Sequence, residues 1–145
     1  MKISTKGRYA LRLMLDLAEH QGDGFIALKD IAQRQGISKK YLEQIIPMLH
    51  TSELLQTNRG FQGGYKLAQP PSFYTVGMIL RLTEGSLAPV TCLTQATNTC
   101  ERAEYCPTLF IWEGLNKVVS DYLDSITLQD ILDRETEDFS NHYII

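Results

Sequence analysis

The three cysteines of this 145-residue sequence are Cys92, Cys100 and Cys106, which lie in one short segment with the spacing C-x7-C-x5-C. An odd number of thiols argues against a disulfide framework, and the spacing is wider than that of common structural zinc motifs. Soft thiolate ligands suit an iron–sulfur cluster or zinc. From the spacing alone, a cluster, another redox role and no cofactor remain equally open.

A second set of residues with usable chemistry follows the tight turn Gly36-Ile37-Ser38, where Ser38 is placed to cap a helix. If the apolar residues of that helix face inward, its polar residues face outward: Lys39, Lys40, Glu43 and Gln44. Lysine can meet phosphates or guanine, glutamine can pair with adenine, and glutamate can accept from cytosine. Taken alone, however, such a cluster is usually a solvated helix face.

Two short alternating stretches, 54–57 and 65–67, flank a glycine-rich loop and predict a β-hairpin. Arg59 lies at its tip, where a wing inserts arginine into a minor groove. Helix, turn, helix and hairpin in this order predict a winged helix-turn-helix that binds double-stranded DNA. The predicted DNA-binding residues are Ser38, Lys39, Lys40, Tyr41, Glu43, Gln44, Arg59, Gly60 and Gln62.

The charge distribution favours DNA over the alternative that this fold is a protein-interaction module. Residues 1–69 contain ten Lys and Arg against six Asp and Glu, a balance of +4, whereas residues 70–145 contain four against eleven, a balance of −7. A basic first half is typical of a nucleic-acid reader. No apolar run approaches the length of about 20 residues that crosses a membrane, and no secretory signal is visible, so a cytoplasmic location is expected.

The remaining pattern predicts a mainly α fold with a small β-hairpin wing and a long C-terminal dimerisation helix. An apolar stripe at Ile111, Leu115, Val118 and Tyr122 favours burial against a second copy. Pro47 predicts a kink or early end of its helix, and the sequence from Thr127 to Asp130 resembles a capping box. Four parts are expected: a DNA-binding domain (1–85), a cysteine-bearing sensor loop (86–107), a dimerisation helix with a short capping helix (108–134) and a loose acidic tail (135–145). No catalytic constellation is visible, so an enzyme is not expected.

Five segments together resemble the Rrf2 family of bacterial regulators, which includes IscR, NsrR and CymR. They are MKISTKGRYALRLMLDLA, ISKKYLEQI, NRGFQGGYKLA, CPTLFIWEGL and YLDSITLQDIL, which span nearly the whole chain. The resemblance implies a homodimer whose long C-terminal helix crosses its twin, with each recognition helix and wing reading half of a palindromic operator. Ser52-Glu53 departs from the Ala-Gly that is more usual before the wing, and only local effects are expected.

The resemblance also bears on the cysteines, because the cluster-bearing branches place three cysteines here. It implies an iron–sulfur cluster, 2Fe–2S rather than 4Fe–4S, in a repressor of iron–sulfur or cysteine and sulfur metabolism genes. The fourth ligand stays open: the histidine of IscR-like proteins is Leu109 here, and the acidic residue of some NsrR-like proteins is Arg8. Glu101, Glu104 and a residue of the partner subunit remain candidates. The alternatives are a CymR-like regulator without a cluster that acts through a partner protein, and a nitric-oxide-sensing NsrR-like repressor.

Overall fold

The computed structural model describes residues 1–143, which form helices and one antiparallel hairpin. The elements in chain order are α1 (Thr5–Glu19), α2 (Leu28–Gln35), α3 (Lys39–Thr51), β1 (Leu55–Asn58), β2 (Gly64–Leu67), α4 (Val76–Glu84), α5 (Leu109–Asp124) and α6 (Leu128–Tyr143). The predicted mainly α fold with a hairpin wing is confirmed. In this described part of the chain, no helix is both long and apolar enough to span a membrane.

The starts of three helices follow from side-chain caps. The hydroxyl of Ser4 accepts a hydrogen bond from the Gly7 N–H, and Ser38 and Thr75 cap α3 and α4 in the same way. Such caps satisfy N–H groups that the first helical turn leaves without a partner. Helix boundaries in this chain are therefore largely local properties of the sequence.

The main apolar core lies around α1 and includes the first residue of the final helix. Leu13 and Met14 of α1 are fully buried, as is Leu128 at the start of α6. They belong to one cluster with buried residues of α2, α3, the wing strands and α4. The final helix is therefore anchored in the same core as the helix-turn-helix.

The hairpin docks on this core through a short pairing with Ile26. Ile26 and Tyr65 exchange two backbone hydrogen bonds of 2.8 Å each, beside the β1–β2 register that pairs Leu55 with Leu67 and Asn58 with Gly64. A Cβ atom on Gly64 would overlap the backbone of Ile26. The wing can approach the body this closely because position 64 carries no side chain.

Helix α3 continues through Pro47 to Thr51, so the early end predicted there is wrong. Proline removes one backbone hydrogen bond from a helix interior. Ile45 and Leu49, on either side of it, are fully buried. Their burial compensates for the lost bond and keeps the last turn helical.

The acidic tail expected to be loose from Glu135 is helical as far as Tyr143, and the last two residues lie outside the described range. The capping box is confirmed: the Thr127 N–H donates to the Asp130 carboxylate, and the Asp130 N–H donates to the Thr127 hydroxyl. With its start fixed and its apolar side packed on α1, α6 propagates through the acidic residues. The prediction of a loose tail from its acidic composition is therefore wrong for the residues described.

Glu53 has a φ of 59°, in the left-handed region that is unfavourable for residues with a Cβ. It lies between α3 and β1, where the N–H groups of Glu53 and Leu54 donate to the carbonyls of His50 and Leu49. Glu53, where the resemblance implied glycine, is therefore a strained residue at the entry to the wing.

Candidate nucleic-acid interface and cysteine loop

The turn between α2 and α3 depends on a glycine. Gly36 ends α2 with a φ of 63°, and its N–H donates to the carbonyls at the end of that helix. Ile37 is then buried, and Ser38 caps α3. This short connection aims the first turn of α3 outward from the core.

Asp16 holds α2 in place from the middle of α1. Its carboxylate is only 1% exposed and accepts two hydrogen bonds from Arg34, at 2.7 and 3.0 Å, and one from Gln35 at 2.9 Å. Burial raises the pKa of Asp16, but the hydrogen bonds from Arg34 and Gln35 and the Arg34 charge outweigh it and hold the pKa below its ordinary value. Sequence reasoning missed this pair; its only signal was an acidic residue within an apolar helix face.

The predicted reading face of α3 is exposed. Lys39, Lys40, Glu43 and Gln44 all lie on the surface, opposite the buried residues of the helix. The Lys39 ammonium lies 3.8 Å from the Glu43 carboxylate, an exposed i,i+4 ion pair. The first two turns of α3 therefore present an exposed polar surface with charges of both signs.

Two of the predicted DNA-binding residues also have structural roles. The Ser38 hydroxyl accepts the Tyr41 N–H at 3.1 Å as the helix cap. The Tyr41 ring is half-buried and packs edge-on against Tyr9, with ring centroids 5.3 Å apart. Both residues fix the first turn of α3, where its polar face begins.

The wing stands beside the other end of α3. Its strand β1 is tied to the helix by the contact between Thr57 Oγ1 and His50 Nδ1, at 3.1 Å. Arg59, Gly60 and Gln62 are all exposed. The structure thus places the wing at the C-terminal half of the helix whose first turns carry the exposed polar residues.

The cysteines lie on the segment 86–107, which consists of turns apart from the short 3₁₀ helix Thr91–Leu93. Cys92 and Cys106 are half-buried and Cys100 is exposed. A hydrogen bond from the Thr108 side chain, followed by the Thr108 backbone N–H, lowers the pKa of Cys106 below its ordinary value. The lack of regular structure predicted for this segment is confirmed.

The donors on this loop suit an iron–sulfur cluster, which soft thiolates bind. Asn98 adds a second sign: its Oδ1 accepts the Cys100 N–H at 2.9 Å, while its Nδ2 is buried without a hydrogen-bond partner. A buried amide group without an acceptor costs free energy, and cluster or thiolate sulfur is a suitable acceptor. The residues present therefore fit the group.

The three sulfur atoms are not gathered as ligands of a single ion. Across residues 1–143, the group of three His, Cys, Asp or Glu side chains whose ligand atoms lie within 4.8 Å of one another is Asp16, Glu19 and His20. The carboxylate of Asp16 is already bound by Arg34 in a structural ion pair, so we do not interpret this group as a metal site. A fourth ligand is not identified, and Leu109 offers none.

Helix α5 follows the cysteine loop and carries an exposed apolar stripe. Val118 and Tyr122 are 66% and 65% exposed, and the exposed side chains of Ile111 and Leu115 lie on the same side of the helix. Its other end is fastened to α4 by two hydrogen bonds from Arg81 to Asp124, at 2.6 and 2.9 Å. The cysteine loop therefore connects α4 to α5, and the Arg81–Asp124 ion pair links the same two helices directly.

Residues 3–134 match the family described as "Rrf2: Iron-dependent Transcriptional regulator". Over 142 residues the chain is 37% identical to the HTH-type transcriptional regulator IscR of Aliivibrio salmonicida, covering 97% of this chain and 83% of that protein. The matching family and relatives are transcriptional regulators rather than enzymes, as the sequence predicted.

Solved structures show the same fold. IscR from T. potens superposes with a TM-score of 0.77 at 42% identity, covering 95% of this chain and 90% of that one. CymR (YrzC), described as the global cysteine regulator of B. subtilis, superposes with a TM-score of 0.76 at 38% identity, covering 92% and 98%. The chain is thus similar to both regulators over nearly its full length.

Proposed function

Because the chain belongs to the Rrf2 family of iron-dependent transcriptional regulators, we propose that it binds a palindromic operator as a homodimer and represses transcription. The observation that carries the proposal is that α3 has an exposed polar face in its first turns and is joined at its other end to an exposed wing that carries Arg59. Both are held on one core, so they can contact adjacent grooves of one duplex.

In this proposal the predicted residues divide into base readers and phosphate binders. Gln44 projects from the first turns of α3 and can pair with adenine in the major groove, and Glu43 can accept from cytosine. Lys40 binds phosphate or guanine, and Arg59 enters the minor groove. Ser38 and Tyr41 position this surface through the cap and the Tyr9 contact.

The exposed stripe on α5 supports the homodimer. Large apolar side chains in water are unfavourable, and a contiguous stripe of them marks an interaction surface. An α5 helix crossing its twin would bury the stripe around Leu115 and Val118 and would place two reading units around a twofold axis. A palindromic operator has the same symmetry.

For the sensor, we propose that Cys92, Cys100 and Cys106 hold an iron–sulfur cluster, 2Fe–2S rather than 4Fe–4S, in a cytoplasmic protein. When bound, such a group supplies a centre that responds to iron supply and oxidation. The genes controlled would serve iron–sulfur cluster assembly or cysteine and sulfur metabolism. These assignments rest on the thiol donor set and on the similarity to IscR proteins.

The cysteine loop offers a physical route from sensor to DNA. It leaves α4, contacts α5 through the segment Thr91–Leu93, and enters α5 after Cys106. Ordering the loop would favour one placement of α5 relative to the reading unit. The Arg81–Asp124 ion pair would hold α5 to α4 in that placement. A bound group alters operator affinity only if it binds more tightly to one of two arrangements of the reading unit and α5 than to the other.

A second candidate is a CymR-like regulator without a cluster, which responds to cysteine supply through a partner protein. The observation that favours it is the similarity to CymR, at 38% identity over 92% of this chain. In that case the exposed Cys100 and the other two cysteines would be redox-sensitive or without a role in sensing.

The DNA-binding proposal is tested with an operator selected from random duplexes by the full-length protein. Gln44→Ala should relax base preference at one position of each half-site and cost about 1–3 kcal/mol. Lys40→Ala should weaken binding to all sequences evenly, and binding should release about one counterion fewer, which lowers the salt slope. Arg134→Ala, at an exposed position of α6, is the charge control. Failure of the wild-type protein to select any duplex at low salt, with or without iron, would refute this function.

The cluster proposal is tested by anaerobic purification. The protein should be brown, with visible absorption that oxygen or a chelator bleaches, and each single Cys→Ser change at positions 92, 100 and 106 should remove it. Thr99→Ser, beside Cys100, should keep the colour. Colourless, iron-free protein with DNA binding indifferent to all three changes would favour the second candidate.

A further inference from the structure

An aromatic side chain that the predicted interface omits projects from the tip of the wing. Phe61 is 103% exposed, so its side chain lies in water. An aromatic ring in water gains no burial from folding, and it gains that burial when a partner covers it. Single exposed apolar side chains are common on protein surfaces, so the informative feature is the place of this ring at the tip of the wing.

The backbone of the tip is built to hold this ring at the far end of the hairpin. The Gly63 N–H donates to the Gly60 carbonyl at 3.0 Å, which closes a β-turn whose two corner residues are Phe61 and Gln62. Gly60 has a φ of 117°, which only glycine readily adopts. A Cβ on Gly63 would overlap the backbone of Asn58 and Gly60. The turn is therefore tight, and Phe61 occupies one of its two corners.

The charge around the ring identifies the kind of partner. Between Leu55 and Leu67 the sequence contains Arg59 and Lys66 but no Asp or Glu. An apolar ring next to arginine on an acid-free hairpin is complementary to a minor groove, where phosphates flank an apolar base stack. Phe61 is only two residues after Arg59, so a wing that inserts Arg59 into the minor groove also places Phe61 at that groove.

We propose that Phe61 acts as a wedge in the minor groove, where it partly unstacks one base step of each half-site. The inference rests on the proposed DNA-binding function and deepens it. Flexible pyrimidine–purine steps unstack most easily, so the wedge adds specificity for such a step without any hydrogen bond to a base. It also adds affinity that does not depend on salt, because the ring carries no charge.

The experiment uses the full-length protein and an operator that it selects from random duplexes, with 2-aminopurine placed at successive positions. With wild-type protein the fluorescence should rise at one step per half-site, where unstacking occurs. Phe61→Ala should abolish that rise and weaken binding roughly 10-fold, the effect of losing one aromatic–base contact, with an unchanged salt slope. Phe61→Leu should retain part of both effects.

Two variants serve as comparisons. Arg59→Ala should lower the salt slope, which separates loss of charge from loss of the ring. Phe73→Ala removes another exposed phenylalanine, outside the wing, and should leave operator binding unchanged. Circular dichroism of each variant checks that it is folded.

The outcomes separate this inference from the function beneath it. Normal affinity and a normal 2-aminopurine signal for Phe61→Ala would overturn the wedge while leaving DNA binding intact. Normal DNA binding with loss of repression in a transcription assay would also overturn it, and would assign the ring to a protein contact. If the wild-type protein selects no duplex, the DNA-binding function fails and the wedge fails with it.

Discussion

The buried ion pair between Asp16 and Arg34 offers the sharpest test of how the helix-turn-helix is held together. Arg34→Ala removes two hydrogen bonds from a carboxylate that is 1% exposed. Removing one partner of a buried pair costs about 3–5 kcal/mol, since it strands a charge away from water. Here Gln35 still donates to Asp16 and the Arg34 side chain is 36% exposed. We therefore expect a loss of about 2–3 kcal/mol, a large share of the roughly 5–15 kcal/mol that stabilises a typical domain.

Asp16→Asn should cost less, because the arginine left without its partner is partly exposed and can be solvated. The pH dependence provides a second check. The pKa of Asp16 in the folded protein lies below its ordinary value of 3.8, so the stability it contributes is present above that pH and lost as the pH falls. The difference between wild-type protein and Asp16→Asn should therefore shrink in acid.

The assay is urea unfolding followed by circular dichroism, at neutral pH and at several lower values. Arg8→Ala is the matched control, since Arg8 makes an exposed hydrogen bond to Thr5 and should change the free energy of unfolding little. A loss no larger for Arg34→Ala than for Arg8→Ala, or a pH-independent difference for Asp16→Asn, would refute the reasoning.

Three further predictions follow from other elements. Val118→Asp should split the proposed dimer in sedimentation and abolish operator binding together, whereas Glu113→Ala, on the opposite side of α5, should do neither; tight operator binding by a monomer would contradict this. Glu53→Gly should raise the free energy of unfolding by about 0.5–1 kcal/mol by removing left-handed strain, less the added freedom of the unfolded chain, and Glu53→Ala should not. Partial desolvation of the carboxylate, together with a hydrogen bond and the charge of Glu135, raises the pKa of Glu19 from its ordinary value of 4.5 to about 7. Stability should therefore fall as the pH rises from about 4.5 to about 7, by only on the order of 1 kcal/mol because solvent screens the exposed side chain, and Glu19→Gln should flatten that slope in thermal melts.

The fold class and most helix boundaries could be predicted from the sequence, because they depend on short-range interactions. Ser38 and Thr75 cap their helices through their own hydroxyls, and Gly36 ends α2 in a conformation that its missing side chain permits. The capping box at Thr127 is equally local. Such features involve residues within one helical turn, so the pattern of residue types is sufficient to identify them.

Other properties were decided by contacts between segments far apart in the chain. Burial of Ile45 and Leu49 keeps α3 helical past Pro47, and packing on α1 extends α6 through residues that look disordered by charge. The Asp16–Arg34 pair joins positions 18 residues apart. The relative positions of the cysteines likewise depend on the path of a loop without regular structure, because no short-range pattern specifies where distant side chains meet.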